Sequence, residues 1–181
     1  MDWMDVGKVG LSSAAFGISC LALWISHRNW LRSNCPIVVA CIETAGAGDG
    51  AFIAYNLVVV NTGNRPAVNV RLYCENTDLE QCIQPGPHAG KKPGSTWSQI
   101  RKCFNEEAEI PVLLSGKSVS NSFGFTGVNQ QSFWKYNSRL KITLRYADLD
   151  GTNYSKELTL LIKDSAAFAG GIWSVQDDTK R

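Results

Sequence analysis

The stretch RLKITLRYADLDGTNYSKELTLLI, residues 139–162, constrains the fold more than any other part of the chain. Leu140, Ile142, Leu144 and Tyr146 alternate with Lys141, Thr143 and Arg145, and a period of two belongs to a strand with one face in a core and the other in water. DLDGTN supplies turn residues, and Tyr154, Leu158 and Leu160 lie on a return strand, so the spacing predicts an antiparallel hairpin. The chain is thereby committed to a mainly β fold.

Upstream segments read the same way. PIVVACIE is a strand rich in β-branched residues, and AFIAYNLVVVNT is apolar enough to be central in a sheet. Gly63-Asn64 turns the chain, and Pro66, which donates no ladder hydrogen bond, marks the entrance of the next strand. AVNVRLYCE then places Val68, Val70, Leu72 and Cys74 on one face and Asn69, Arg71, Tyr73 and Glu75 on the other. PVLLSGKSVSNSFGFT carries strand material on both sides of Ser115-Gly116. Residues 84–111 break the pattern. QPGPHAGKKPGS holds three prolines and three glycines, and beyond it Trp97, Ile100, Cys103 and Phe104 recur at helical spacing behind Ser95, a fitting N-cap. About seven strands at sandwich spacing predict an immunoglobulin-like β-sandwich over residues 35–164, with 84–111 as a short helical insertion.

The N-terminal residues 1–34 are of another kind. VGLSSAAFGISCLALWIS, from Val9 to Ser26, is uncharged and bounded by Lys8 and by His27-Arg28. A helix crosses the hydrocarbon core with about 20 mostly apolar residues, and roughly 17 is the lower limit. Trp3 precedes the run, and Trp24 and Trp30 sit at its far end, where indoles favour the headgroup layer. The run ends in LALWISHRNW without a small-residue cleavage site, so it predicts a retained transmembrane helix. Lys8 is offset by Asp2 and Asp5, whereas Arg28 and Arg32 follow the run, so the soluble domain is expected in the cytoplasm, anchored to an inner membrane. Gly10, Ser13, Ala14 and Gly17 form a small-residue face suited to close helix association.

LVVVNTGNRPAVNVRLY resembles the signature of bacterial immunoglobulin-like domains of the cell-adhesion-related, fibronectin-like type, in which an N-x-G-x-x-P-A-x-N-V turn joins two strands. KITLRYADLDGTNYSKELTL resembles the closing hairpin of similar domains in single-pass bacterial membrane proteins. The resemblance covers about half of the soluble part and implies fold far more than function.

No catalytic constellation emerges. His27 and His88 are the only histidines, and neither has a Ser, Cys or Asp in a triad setting. The 6 cysteines include no C-x-x-C pair, and with Cys20 inside the apolar run an odd number remains for the domain, which suits free thiols in a reducing compartment. Asp148, Asp150 and Asn153 lack the further ligands of a calcium loop and read as a turn. No cofactor or metal is expected. A net charge of +2 gives no field pointing to nucleic acid. Lys91, Lys92, Arg101 and Lys102 beside Trp97 are candidates for an anionic small molecule, with a solvated loop whose aromatics dock on the sandwich as the rival reading. Phe168, Ile172 and Trp173 in the 165–181 tail are expected to pack on the domain or on a partner. The expectation is a membrane-anchored, non-enzymatic interaction module that binds a protein partner or itself. The alternative is a membrane-anchored sensor of an anionic, nucleotide-like ligand, as in bacterial defence signalling.

Overall fold

The structure, a computed structural model, describes residues 3–48, 52–105, 108–127, 132–163, 167–168 and 171–172, excluding the side chains of residues 3–12, 32, 46–48 and the four at 167–172. Two compact units divide between Cys35 and Pro36. The first is one helix, α1, Trp3–Ser33. No proline interrupts it, and the Ser19 hydroxyl donates back to the Ala15 carbonyl at 2.9 Å instead of competing from outside the helix. It stops where the Asn34 backbone N–H and side-chain amide both cap the Trp30 carbonyl at 2.9 Å, just ahead of Pro36. Among the described residues no helix is long and apolar enough to cross a membrane, which says nothing of β-barrels. The expected span starts at Val9, and the side chains of residues 9–12 lie outside those described.

The second unit is mainly β. Its strands are β1 (Val38–Gly48), β2 (Phe52–Asn61), β3 (Ala67–Tyr73), β4 (Glu109–Leu113), β5 (Ser118–Gly127), β6 (Ser138–Ala147) and β7 (Asn153–Ile162). They form two antiparallel sheets, β1-β2-β5 and β4-β3-β6-β7. A further two-stranded ribbon joins Ala167–Phe168 to Gly171–Ile172. The expected packing of Phe168, Ile172 and Trp173 lies outside the described side chains. One apolar core takes Tyr55, Leu57, Val59 and Phe123 from the first sheet and Val70, Leu72, Leu144 and Ile162 from the second.

The β6–β7 hairpin buries Leu140, Ile142, Leu144 and Tyr146, and Tyr146 faces Tyr154 across the ladder with stacked rings 5.1 Å apart. Strand β3 departs from its expected alternation. Asn69 takes a left-handed conformation, φ 53°, at a register shift between Val68 and Arg71. An extra residue there changes the phase, so Ala67 is buried beside Val70 and Leu72 while Val68 is only half-buried. Asparagine tolerates that conformation better than most residues.

The helical insertion also begins earlier than residue 84. Helix α2, Asn76–Cys82, directly follows β3 and buries Leu79 and Cys82. Helix α3, Thr96–Lys102, buries Trp97 and Ile100, and Cys103 and Phe104 join the same core. The residues at the far end belong to β4, where Pro111 sits on an edge strand without a ladder partner.

Candidate functional site

Helix α3 starts as its sequence asks, with the Ser95 hydroxyl accepting from the Ser98 N–H at 3.3 Å. Its buried Trp97 lies under two cations: the Arg101 guanidinium is 5.2 Å from the ring centroid and the Lys91 ammonium 5.4 Å. Trp97 is only 7% exposed and Phe104 only 8%, so both rings serve the core and neither offers a free face. Lys91 is ion-paired with Glu80 of α2. Lys92 stands exposed in the turn before α3. Arg101 and Lys102 line a cleft of about 370 Å³ with Asn76, Ser98 and Asn105, over Leu79, Trp97 and Phe104. The five candidate residues are thus split: two share the cleft wall, one forms part of its floor, one is paired with Glu80 outside the cleft lining, and one stands apart.

A second concave region was not flagged by the sequence. The outer face of β4-β3-β6-β7 carries two open grooves, one of about 800 Å³ past Tyr73, Lys141, Arg145 and Glu157, and one of about 560 Å³ past Arg71, Glu109, Arg145 and Tyr154. Arg145 lies 4.8 Å from the Tyr73 ring centroid, and Arg71 donates through Nε to Glu109 at 2.7 Å. The signal was present as the polar alternates of β3 and β6, but only strand pairing shows that they form one surface.

Asp148 and His88, which the sequence also singles out, lie outside these clefts. Asp148 is buried, and its carboxylate accepts from the backbone N–H of Asp150 and Thr152 and from the Tyr154 hydroxyl, so it organises the hairpin turn. Among the described residues no group of His, Cys, Asp and Glu is placed to hold a metal ion. His88 packs edge-on to Phe125, with centroids 5.1 Å apart. Cys20, Cys41, Cys74, Cys82 and Cys103 are free thiols. The Cys74 thiol is pushed up to about 12 by burial and then by Asp78, Cys82 and Glu75, and burial raises Cys82 and Cys103 as well. Such thiols are protonated and poorly nucleophilic near neutrality. On α1, Ser13, Ala14 and Gly17 are exposed, and a Cβ at Gly17 would meet nothing within 4 Å. Gly10 lies on the same helix, among the residues whose surroundings are not described.

A family model described as "Domain of unknown function (DUF8453)" matches residues 9–166. The chain belongs to the DUF8453 family. The DUF8453 match takes in α1 from Val9 together with every strand from β1 to β7. No curated protein and no solved structure matches the chain.

Proposed function

We propose that this DUF8453 protein is a single-pass membrane protein whose immunoglobulin-like sandwich is a non-enzymatic module that binds a protein partner or a second copy of itself. The observation that carries the reading is the circumference of α1. Phe16 and Ile18 are 72% and 69% exposed, and at about 100° per residue they project from nearly opposite sides. Leu21, Leu23, Trp24 and Ile25 are exposed as well. A single neighbouring helix covers one apolar stripe, whereas apolar side chains exposed on opposite sides of a helix favour an apolar surrounding such as lipid.

The strand order supports the immunoglobulin-like half of the reading. β1, β2 and β5 share one sheet and β3, β6 and β7 the other, which parallels the ABE and CFG grouping of such domains. β4 departs from the constant-type pattern by lying beside β3. The outer face of the second sheet, with Tyr73 and Arg145 at its centre, has the residue types that anchor protein interfaces. Arg28 and Arg32 after the apolar run favour a cytoplasmic domain at an inner membrane.

Alkaline carbonate extraction of membranes, followed by detergent solubilisation and crosslinking, tests the proposal. The protein should resist carbonate, enter solution only with detergent and crosslink to itself or to one partner. Release by carbonate overturns the anchor, and a strictly monomeric species with no co-purifying partner overturns the interaction module.

A further inference from the structure

We infer that the cleft beside α3 binds a small phosphate-bearing ligand, held by Arg101 and Lys102 with Asn76, Ser98 and Asn105 as neutral hydrogen-bonding partners. Its volume of about 370 Å³ falls within the roughly 300–1,000 Å³ of small-molecule sites. Among the described residues the lining contains two cations, three neutral polar side chains and an apolar floor of Leu79, Trp97 and Phe104, and no carboxylate. Glu75 and Asp78 line the adjacent groove instead.

Three features make this more than a basic surface. Arg101 is stacked against the buried Trp97 ring, so its guanidinium enters the complex with less freedom to lose, and its N–H edge suits the paired oxygens of a phosphate. Trp97 lines the cleft, and its indole N–H is buried without a hydrogen-bond partner among the described residues, a state that is uncommon and costly for a donor. Lys91, which the sequence groups with these cations, is neutralised by Glu80, so the positive charge at the cleft comes from Arg101 and Lys102 of α3.

The same geometry decides what is recognised. Trp97 and Phe104 have too little exposed surface to stack a nucleobase, so the ligand is selected through its anionic group. Phosphate chemistry has two sources here: a soluble phosphate ester or the headgroup of an acidic lipid.

The test uses the full chain in neutral detergent, unfolded thermally in rising inorganic phosphate and pyrophosphate at constant ionic strength. The wild type should show a saturable rise in Tm. Lys91→Gln/Lys92→Gln should keep it, and Arg101→Gln/Lys102→Gln should lose it with at least tenfold weaker binding. Lys102→Gln alone, a change at an exposed side chain, should weaken binding at least threefold and carries the test if the double variant does not fold. No saturable rise in the wild type, or an unchanged rise in both Arg101/Lys102 variants, overturns the site. Nanodiscs of phosphatidylcholine with and without phosphatidic acid then separate the sources: the same phosphate-dependent rise in both kinds of disc assigns a free ester, and a rise in phosphatidylcholine discs that is already saturated in phosphatidic acid discs assigns a lipid headgroup. Binding in detergent does not depend on how α1 meets a bilayer, so failure here is distinct from failure of the membrane reading.

Discussion

The side-chain amide of Asn61, at the end of β2, donates to the carbonyl of Leu113, at the end of β4, over 3.0 Å in the buried interior. The bond passes from one sheet to the other. The same amide donates to the Arg65 carbonyl at 2.7 Å, and its oxygen accepts from the N–H groups of Ile37 at 3.2 Å and Gly63 at 3.0 Å. An asparagine side chain offers two donors and two acceptor positions, and here all are used. The start of β1, the turn after β2 and the end of β4 are therefore fixed through one fully buried residue.

Replacing Asn61 with alanine removes the partner of two N–H groups and two carbonyls, of which the Gly63 N–H and the Leu113 carbonyl are bonded in the buried interior. Loss of each buried bond costs about 1–3 kcal/mol where the partner is left unsatisfied, and partial relaxation makes about 3 kcal/mol a reasonable total. For a domain of this size that lowers Tm by about 6–12 °C. Asn61→Asp should do no better, because a carboxylate keeps the acceptor but sets negative charge against two carbonyls. Tryptophan-fluorescence melts of the full chain in detergent check both variants.

Much of this architecture could be read from the chain, and the reasons for the misses are physical. The β6–β7 hairpin was legible because its alternation and its turn are local. Asn61 was legible as a turn residue, but its sheet-tying bonds reach Ile37 and Leu113, which lie 24 and 52 residues away. Helix α2 has only 7 residues, and its buried Leu79 and Cys82 are too few to set a period against polar neighbours. The bulge at Asn69 reversed which residue of Ala67-Val68 faces inward, and no composition signal announces such a phase change. In the candidate site the basic cluster was visible. The pairing of Lys91 with Glu80 was not, since it depends on α2.

Asp148 gives the fold an acid-sensitive point. Burial alone would raise its pKa, but hydrogen bonds from Thr152, Tyr154 and Asp150 outweigh it and hold the carboxyl below its usual range. A lowered folded-state pKa means that the carboxylate's contribution is complete above the ordinary value of about 4 and is lost as pH falls through the lowered one. Urea midpoints of wild type and Asp148→Asn should therefore be furthest apart above about pH 4 and converge below it. Arg65→Ala is the contrast: its partner Asp150 has a side chain 58% exposed, and the pair bridges two loops at the surface, so the change should stay within about 0.5 kcal/mol.

Thiol labelling reports on the same core. Cys74, pushed up to about 12, and the buried Cys82 and Cys103 should react slowly with iodoacetamide at pH 8 in the folded protein and quickly in urea. The exposed Cys20 should react readily in detergent-free extracts only if α1 is open to water, and a lipid-embedded helix would shield it. Mass spectrometry of labelled peptides distinguishes these positions.

Gly124 and Gly116 separate backbone strain from packing. Both have positive φ, 77° and 68°, so an alanine at either is strained, at about 1–2 kcal/mol. At Gly116 the new Cβ meets nothing within 4 Å, and that strain should be the whole effect. At Gly124 it would lie 3.0 Å from Trp134 Nε1 and 3.1 Å from both Ile100 Cδ1 and Phe133 Cδ1. Overpacking adds about 1–3 kcal/mol, so Gly124→Ala should be the more destabilising of the two by roughly that margin. Ile100 adjoins Arg101 on α3, and relief of the clash by moving the helix displaces the cleft wall as well. Near-ultraviolet circular dichroism should then change for Gly124→Ala and stay as in the wild type for Gly116→Ala, because only the former disturbs the packing around Trp134 that supports α3.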